Sequence, residues 1–168
     1  GEAGVDGARE VDWPIVEENE YKSTYHEIAS IPCEFEKALT NNHARCACAR
    51  HFWLADREGY ACKSTESSAK CHDLLVKLRE NSRFLLKLPQ VGEKLPHNME
   101  IRVQVGGING IQALFSATPG QRVEDIHALV EQAEAEYGSL ERLPYHRIVQ
   151  SVSRFQGERA ENAGLKKI

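Results

Sequence analysis

Outside residues 33–71 this chain has no cysteine. All five of its thiols fall in those 39 residues, and the other 129 of its 168 positions hold none. It also lacks any apolar run close to the ~20 residues that cross a bilayer. Its N-terminus has no basic segment followed by an apolar one, the mark of a signal peptide. These absences lead to the expectation of a cytoplasmic protein with no membrane partner. No basic excess is present either. The formal net charge is −4, which argues against non-specific nucleic-acid binding, since that depends on a positive field. The charge is uneven: residues 1–31 carry eight acids against Arg9 and Lys22, a balance of −6 that leaves +2 on the remainder. There is no internal repeat.

What remains is ordinary in bulk. A composition of 41% apolar and 27% charged residues describes a globular chain, and 168 residues bury one core without covalent staples. Residues 1–20 are acidic and aperiodic and read as an extended arm, pinned at most by Trp13 and Ile15. Residues 21–88 form a cysteine-rich helical region. Within it, Pro32 opens a short helix over "PCEFEKAL". A second helix is expected from His43 to Glu58, with Cys48, Phe52 and Ala55 on one stripe and Gly59 as its stop. Ser64 or Thr65 caps the longest helix, which runs to about Leu88 and turns Cys71, Leu74, Leu75, Leu78, Leu85 and Leu86 inward. Residues 89–98, with prolines and a glycine, read as a connector. Residues 99–168 read as a β-hairpin followed by two helices. Ile101, Val103 and Val105 alternate with Arg102 and Gln104, and Asn109-Gly110 is a tight-turn pair. "VEDIHALVEQAEAEYG" is amphipathic, with Ile126, Leu129, Val130 and Ala133 inward and Gly138 as the stop. A final helix sets Ile148, Val149, Val152 and Phe155 on one face. The expected fold class is mainly α, a helical domain with one small central hairpin.

The chemistry lies in the cysteines. Five is an odd number, and a chain of this size needs no disulfide. Clustered cysteines in a reducing compartment more often serve metal or redox work. Buried thiols of the core are the plain alternative: Cys48 and Cys71 fall on apolar stripes. That reading leaves the confinement of all five to 39 residues without a reason. The spacing is Cys33-x12-Cys46-x-Cys48-x13-Cys62-x8-Cys71. It contains no Cys-x2-Cys knuckle and departs from ferredoxin, Rieske, RING and zinc-ribbon patterns. It fits thiols brought together from helix starts and loops, where anionic sulfur is favoured. On a helix, Cys46 and Cys48 point about 200° apart and cannot share a site unless that stretch is a loop. Cys48 has an apolar stripe to join and Cys46 has none. The candidate ligands are therefore Cys33, Cys46, Cys62 and Cys71, with Cys48 as the spare.

Four thiolates suit an iron–sulfur cluster, [4Fe–4S] before [2Fe–2S]. Lys37, Arg45, Arg50, Arg57, Lys63 and Lys70 are interleaved with them and would offset its negative charge. His43 with Cys46, and Cys48 with His51, each three apart, keep a mixed Cys/His zinc site open. A cysteine nucleophile beside His72 or His51 can be drawn, but sequence neighbours need not meet in space. "GGING" could cradle a phosphate, yet it lacks a following Lys-Ser/Thr and reads as a turn. The sequence thus points to a small iron–sulfur protein that transfers electrons, senses redox state or serves a larger redox enzyme, with a protein redox partner. A zinc-stabilised interaction module and a metal-free helical adaptor are the alternatives.

Overall fold

Ser64 ends an extended stretch and starts the longest helix among the described residues. Its hydroxyl accepts the Ser67 backbone N–H at 3.1 Å, which satisfies one of the donors that every helix start leaves bare. The structure, a computed structural model, describes residues 20, 22–25, 27–87, 95–116 and 120–155. The expected acidic arm, but for Glu20, and most of the expected connector lie outside these residues. In chain order the elements are α1 (Glu36–Thr40), β1 (Ala49–Leu54), β2 (Arg57–Cys62), α2 (Thr65–Leu86), α3 (His97–Ala113) and α4 (Ile126–Tyr137). A 3-10 turn (Leu140–Arg142) follows, then α5 (Tyr145–Ile148) and α6 (Gln150–Arg154). The fold is mainly α with one two-stranded antiparallel hairpin.

The hairpin lies elsewhere than the sequence pattern suggests. It occupies residues 49–62, where a helix was expected, with Ala49 opposite Cys62 and Leu54 opposite Arg57. Ala55, at φ 56°, takes the left-handed turn conformation. Phe52 and Ala55 mimic helical spacing, but the turn between them and Gly59 folds the chain back. Phe52 is paired across the ladder with Gly59, and its ring fills the space a side chain on Gly59 would need.

The expected strands at 101–115 are instead the central helix α3. Ile101, Val103, Gln104, Val105, Ile108 and Ile111 are all buried. A helix enclosed on every side shows no polar stripe, so its β-branched residues mimic a strand. The loss of helix propensity is at most ~0.7 kcal/mol per residue, while burying each side chain returns about 1.5–3 kcal/mol. "GGING" is no turn but a contact surface. A methyl group on Gly106 would lie 2.4 Å from the Val152 Cα, and one on Gly110 would lie 2.3 Å from the Ile148 carbonyl oxygen. Only glycine lets α5 and α6 approach α3 this closely.

Helices α2 and α4 follow the sequence reading. Leu74, Leu75 and Leu78 of α2 are fully enclosed, and Ile126, Leu129, Val130 and Ala133 of α4 are buried beside them. Asp125 caps α4, and Gly138, at φ 87°, closes it. The expected final helix is broken in two at Val149. Its inward residues Ile148, Val149 and Val152 are buried as the pattern predicts.

Candidate functional site

Five backbone segments meet around one small cavity, and each brings cysteine or closes the wall. Cys33 precedes α1 on a strand-like segment tied to β2 through the Pro32–Ala61 bridge and a Cys62 N–H to Ile31 carbonyl bond of 2.8 Å. Cys46 and Cys48 lie on the loop into β1. That loop is pinned on one side by Arg45, whose N–H donates to Val123 and whose carbonyl accepts from Ile126, at 2.9 and 2.8 Å. Cys62 ends β2, and its thiol donates to the Ser64 carbonyl at 3.2 Å. Cys71 sits in the second turn of α2. The first turns of α4 complete the enclosure with Ile126, His127, Val130 and Glu131.

All five cysteines line this cavity, and all five are free, half-buried thiols. The four expected ligands Cys33, Cys46, Cys62 and Cys71 are brought together. Cys48 is brought with them, which corrects its assignment to the core. Because residues 45–48 form a loop, the 200° separation of a helix does not apply, and both members of "CAC" reach the same space. Cys48 is 4.0 Å from the Ser67 hydroxyl, which in turn lies 3.2 Å from His127 Nδ1.

The two candidate histidines are not brought. His43 is buried with its ring edge-on to Phe155 at 5.0 Å. His51 projects from the hairpin and contacts Glu58 at 2.7 Å. Neither lines the cavity, because the helix that would have aligned them with Cys46 and Cys48 does not form. His72 faces Glu34 at 3.3 Å. Of the six interleaved cations, Lys70 alone lines the cavity. Its ammonium is held by Glu134 at 2.8 Å and Glu131 at 3.0 Å, contacts that raise its pKa.

Burial favours the neutral thiol at Cys33, Cys46 and Cys71. Burial raises the Cys33 thiol far above its ordinary range and pushes Cys71 up to about 12. Burial raises Cys46 as well, against backbone N–H groups of Cys48 and His127 that favour its thiolate. The Phe35 N–H does the same for Cys33. Such thiols make poor nucleophiles at neutral pH. They remain able to release protons to a metal, which supplies the missing positive charge. Cys33 is coupled to Cys46 and Cys71. Cys71 is coupled most strongly to Cys46, then to Cys62, and least to Cys48.

The geometry sets limits on an occupant. The enclosed space is about 20 Å³, room for roughly one water. Among the described residues no three His, Cys, Asp or Glu side chains are gathered as a ready site for a single metal ion. A tetrahedral zinc site with bonds of about 2.3 Å needs sulfurs about 3.8 Å apart. The thiols are set around a wall instead.

The far wall was not legible in the sequence. Ser67, His127 and Glu131 had no expected role, and the second half of the chain showed no chemistry of its own. A helix start at Asp125 carrying His127 in its first turn was the available signal. Comparison with protein-family models, curated proteins and solved structures finds no match to this chain.

Proposed function

We propose that the five-cysteine cavity holds one iron–sulfur cluster, and that the protein passes single electrons to or from a protein partner. The observation that carries this reading is the convergence of every cysteine in the chain, from four separate segments, on one apolar cavity. A four-thiolate cluster, when bound, supplies one-electron chemistry. Cys33, Cys46 and Cys71 would form the core of the ligand set, since the charges of Cys46 and Cys71 both act on Cys33. Cys62 would be the fourth, since Cys71 is coupled to it more strongly than to Cys48.

The surroundings suit an anionic centre. The N-terminal turns of α2 and α4 both face the cavity, and helix N-termini favour negative charge. Backbone N–H groups of Phe35, Cys48 and His127 already point to sulfur, and hydrogen bonds to sulfur tune a cluster. Thiols spread around a wall suit a polynuclear group, each thiolate on its own iron, better than one zinc ion. The enclosed space is smaller than a cluster, so loading of the folded protein has to part wall segments outside the helices, which are residues 32–35 and the loops at 45–48 and 62–64.

Aromatic side chains link this wall to the surface. Tyr60, close enough to Cys33 to be affected by its charge, stacks on His51 at 4.7 Å between ring centroids. His51 meets Trp53 edge-on at 5.8 Å, and Trp53 is 62% exposed. This face of the hairpin is where a redox partner would dock.

Anaerobic purification, followed by absorbance, iron, sulfide and zinc analysis, tests the reading. A brown protein with a broad band near ~400 nm and matching iron and sulfide is expected. Stoichiometric zinc without colour would replace the cluster with a structural zinc site. A colourless protein that takes up neither metal on reconstitution would leave only buried thiols.

A further inference from the structure

The molecule contains a second and much larger cavity. It measures about 760 Å³, lies between α1, α2 and α3, and shares Pro32, Cys33 and Glu34 with the cysteine cavity. That size falls within the ~300–1,000 Å³ of small-molecule sites.

Its lining separates into charges the protein already satisfies and charges it does not. Glu100 is buried at the floor and takes both Arg79 nitrogens, at 2.7 and 3.1 Å, as well as the Gln104 amide at 2.8 Å. Glu36 accepts from the Tyr25 hydroxyl and, at 2.9 Å, from the Tyr60 N–H. Glu34 is turned to His72. All three carboxylates therefore already hold hydrogen-bond donors, with Arg79 the permanent cation among them. The fourth, Glu80, lies exposed at the rim.

The cations are left over. Lys37 Nζ touches only the ring nitrogen Nδ1 of His97, at 3.1 Å, an acceptor that carries no negative charge. Arg83 lines the cavity and has no carboxylate within ion-pair distance among the described residues. A guanidinium fork without a carboxylate matches one in shape and charge.

From this arrangement we propose that the larger cavity binds a small organic carboxylate. Its carboxylate lies between Arg83 and Lys37, and its carbon skeleton lies against Val76 and Leu95. The site is distinct from the cluster reading. Both cavities share Cys33, so a ligand bound here rests against the wall of the proposed redox centre.

The test is calorimetric titration of the full chain, metal-free, with succinate, inorganic phosphate and 1,4-diaminobutane in separate arms. Succinate is expected to bind saturably with a dissociation constant of about 1 mM or tighter. Arg83→Gln and Lys37→Gln are each expected to weaken it about tenfold, the effect of losing one charge-assisted contact. Glu80→Gln is expected to tighten it about twofold by removing an unpaired like charge. Circular dichroism of each variant checks the fold. Absence of saturable succinate binding up to ~50 mM, or unchanged affinity in Arg83→Gln, would overturn the proposal. So would phosphate binding in place of succinate, or diamine binding weakened by Glu80→Gln. Because the protein is titrated without metal, failure here leaves the cluster reading standing, and failure of the cluster reading leaves this one standing.

Discussion

Asp125 and Ala47 are 78 residues apart and joined by a 2.9 Å hydrogen bond, in which the Ala47 N–H donates to Asp125 Oδ1. The same oxygen caps α4 by accepting the His127 N–H at 3.1 Å. One carboxylate thus fixes both the loop between Cys46 and Cys48 and the helix start that faces it. Asp125→Ala should lower stability by about 1–2 kcal/mol, the usual range for losing a cap and one further bond. Asp125→Asn, which keeps the acceptor, should lose less than half of that. Urea denaturation of the three proteins compares them, and equal losses in both variants would contradict the shared-acceptor account.

The glycines of α3 separate into two kinds. Gly106→Ala sets a methyl group 2.4 Å from the Val152 Cα, where only backbone can yield. Gly107→Ala meets the Leu78 Cδ1 at 2.6 Å, the far end of a flexible side chain. Overpacking against fixed atoms costs about 1–3 kcal/mol or more, whereas alanine gains up to about 1 kcal/mol of helix propensity. With its clash against backbone at the upper end of that range, Gly106→Ala should be destabilising by about 2 kcal/mol net, and Gly107→Ala by less than about 1. Thermal unfolding distinguishes them.

Among the described residues, Arg79 and Glu100 make the one bidentate ion pair that reaches the core. The Glu100 side chain is 8% exposed and that of Arg79 33%. Arg79→Met leaves a buried carboxylate with only Gln104 to hold it. Removing one partner of a buried pair costs about 3–5 kcal/mol. The partial exposure of Arg79 places the expected loss nearer 2–3. Adding Glu100→Leu to Arg79→Met should recover part of it, because the stranded charge is gone. A double-mutant cycle in denaturant measures both effects.

The raised thiol pKa values fix a sign for pH dependence. In the unfolded chain a thiol titrates near 9.0, and in the folded protein Cys71 titrates near 12, with Cys33 raised further, both through burial. The folded state thus holds its protons where the unfolded state has released them. The stabilisation is complete below pH 9 and is lost as pH rises from about 9 toward 12. While a thiol is neutral folded and charged unfolded, the slope is about −1.4 kcal/mol per pH unit for each. Denaturation midpoints of the metal-free protein between pH 8 and 10.5 should fall accordingly. Cys71→Ala should flatten the decline.

The ligand set has its own prediction. After reconstitution with iron and sulfide, Cys33→Ala, Cys46→Ala and Cys71→Ala should lose most of the ~400 nm absorbance. Cys48→Ala should retain it, and Cys62→Ala should fall between, with Cys48 able to replace the missing thiol. Loss of colour in Cys48→Ala with retention in Cys62→Ala would exchange their roles.

Much of the site was legible because its signals are local. Ser64 and Gly138 mark helix ends by their own chemistry, and the apolar residues of α2 and α4 repeat at helical spacing, so both helices that wall the cavity could be placed. The confinement of cysteine to 39 residues was visible at once. What failed depended on surroundings. Helix α3 is enclosed by α1, α2, α4, α5 and α6, and its β-branched face has meaning only against them. The hairpin turns at Ala55 and Asp56, without the Asn-Gly pair that would announce it. Reading that stretch as helix set Cys48 apart from Cys46, and a loop reunites them. Ser67 and His127 meet across 60 residues of chain, a pairing that no local spacing records.

The cavity also has an order of assembly. Every cysteine has left the ribosome before Ile126, His127, Val130 and Glu131 are made, and those residues form its far wall. Translation at about 5–20 residues per second leaves several seconds between the synthesis of Cys71 and that of Glu131. During that interval the thiols are present and the wall is not. On the proposed reading, a nascent chain accepts the cluster through this open side, with no later parting of the loops. Protein refolded complete, with α4 already docked, should then load more slowly than protein made in the presence of iron and sulfide.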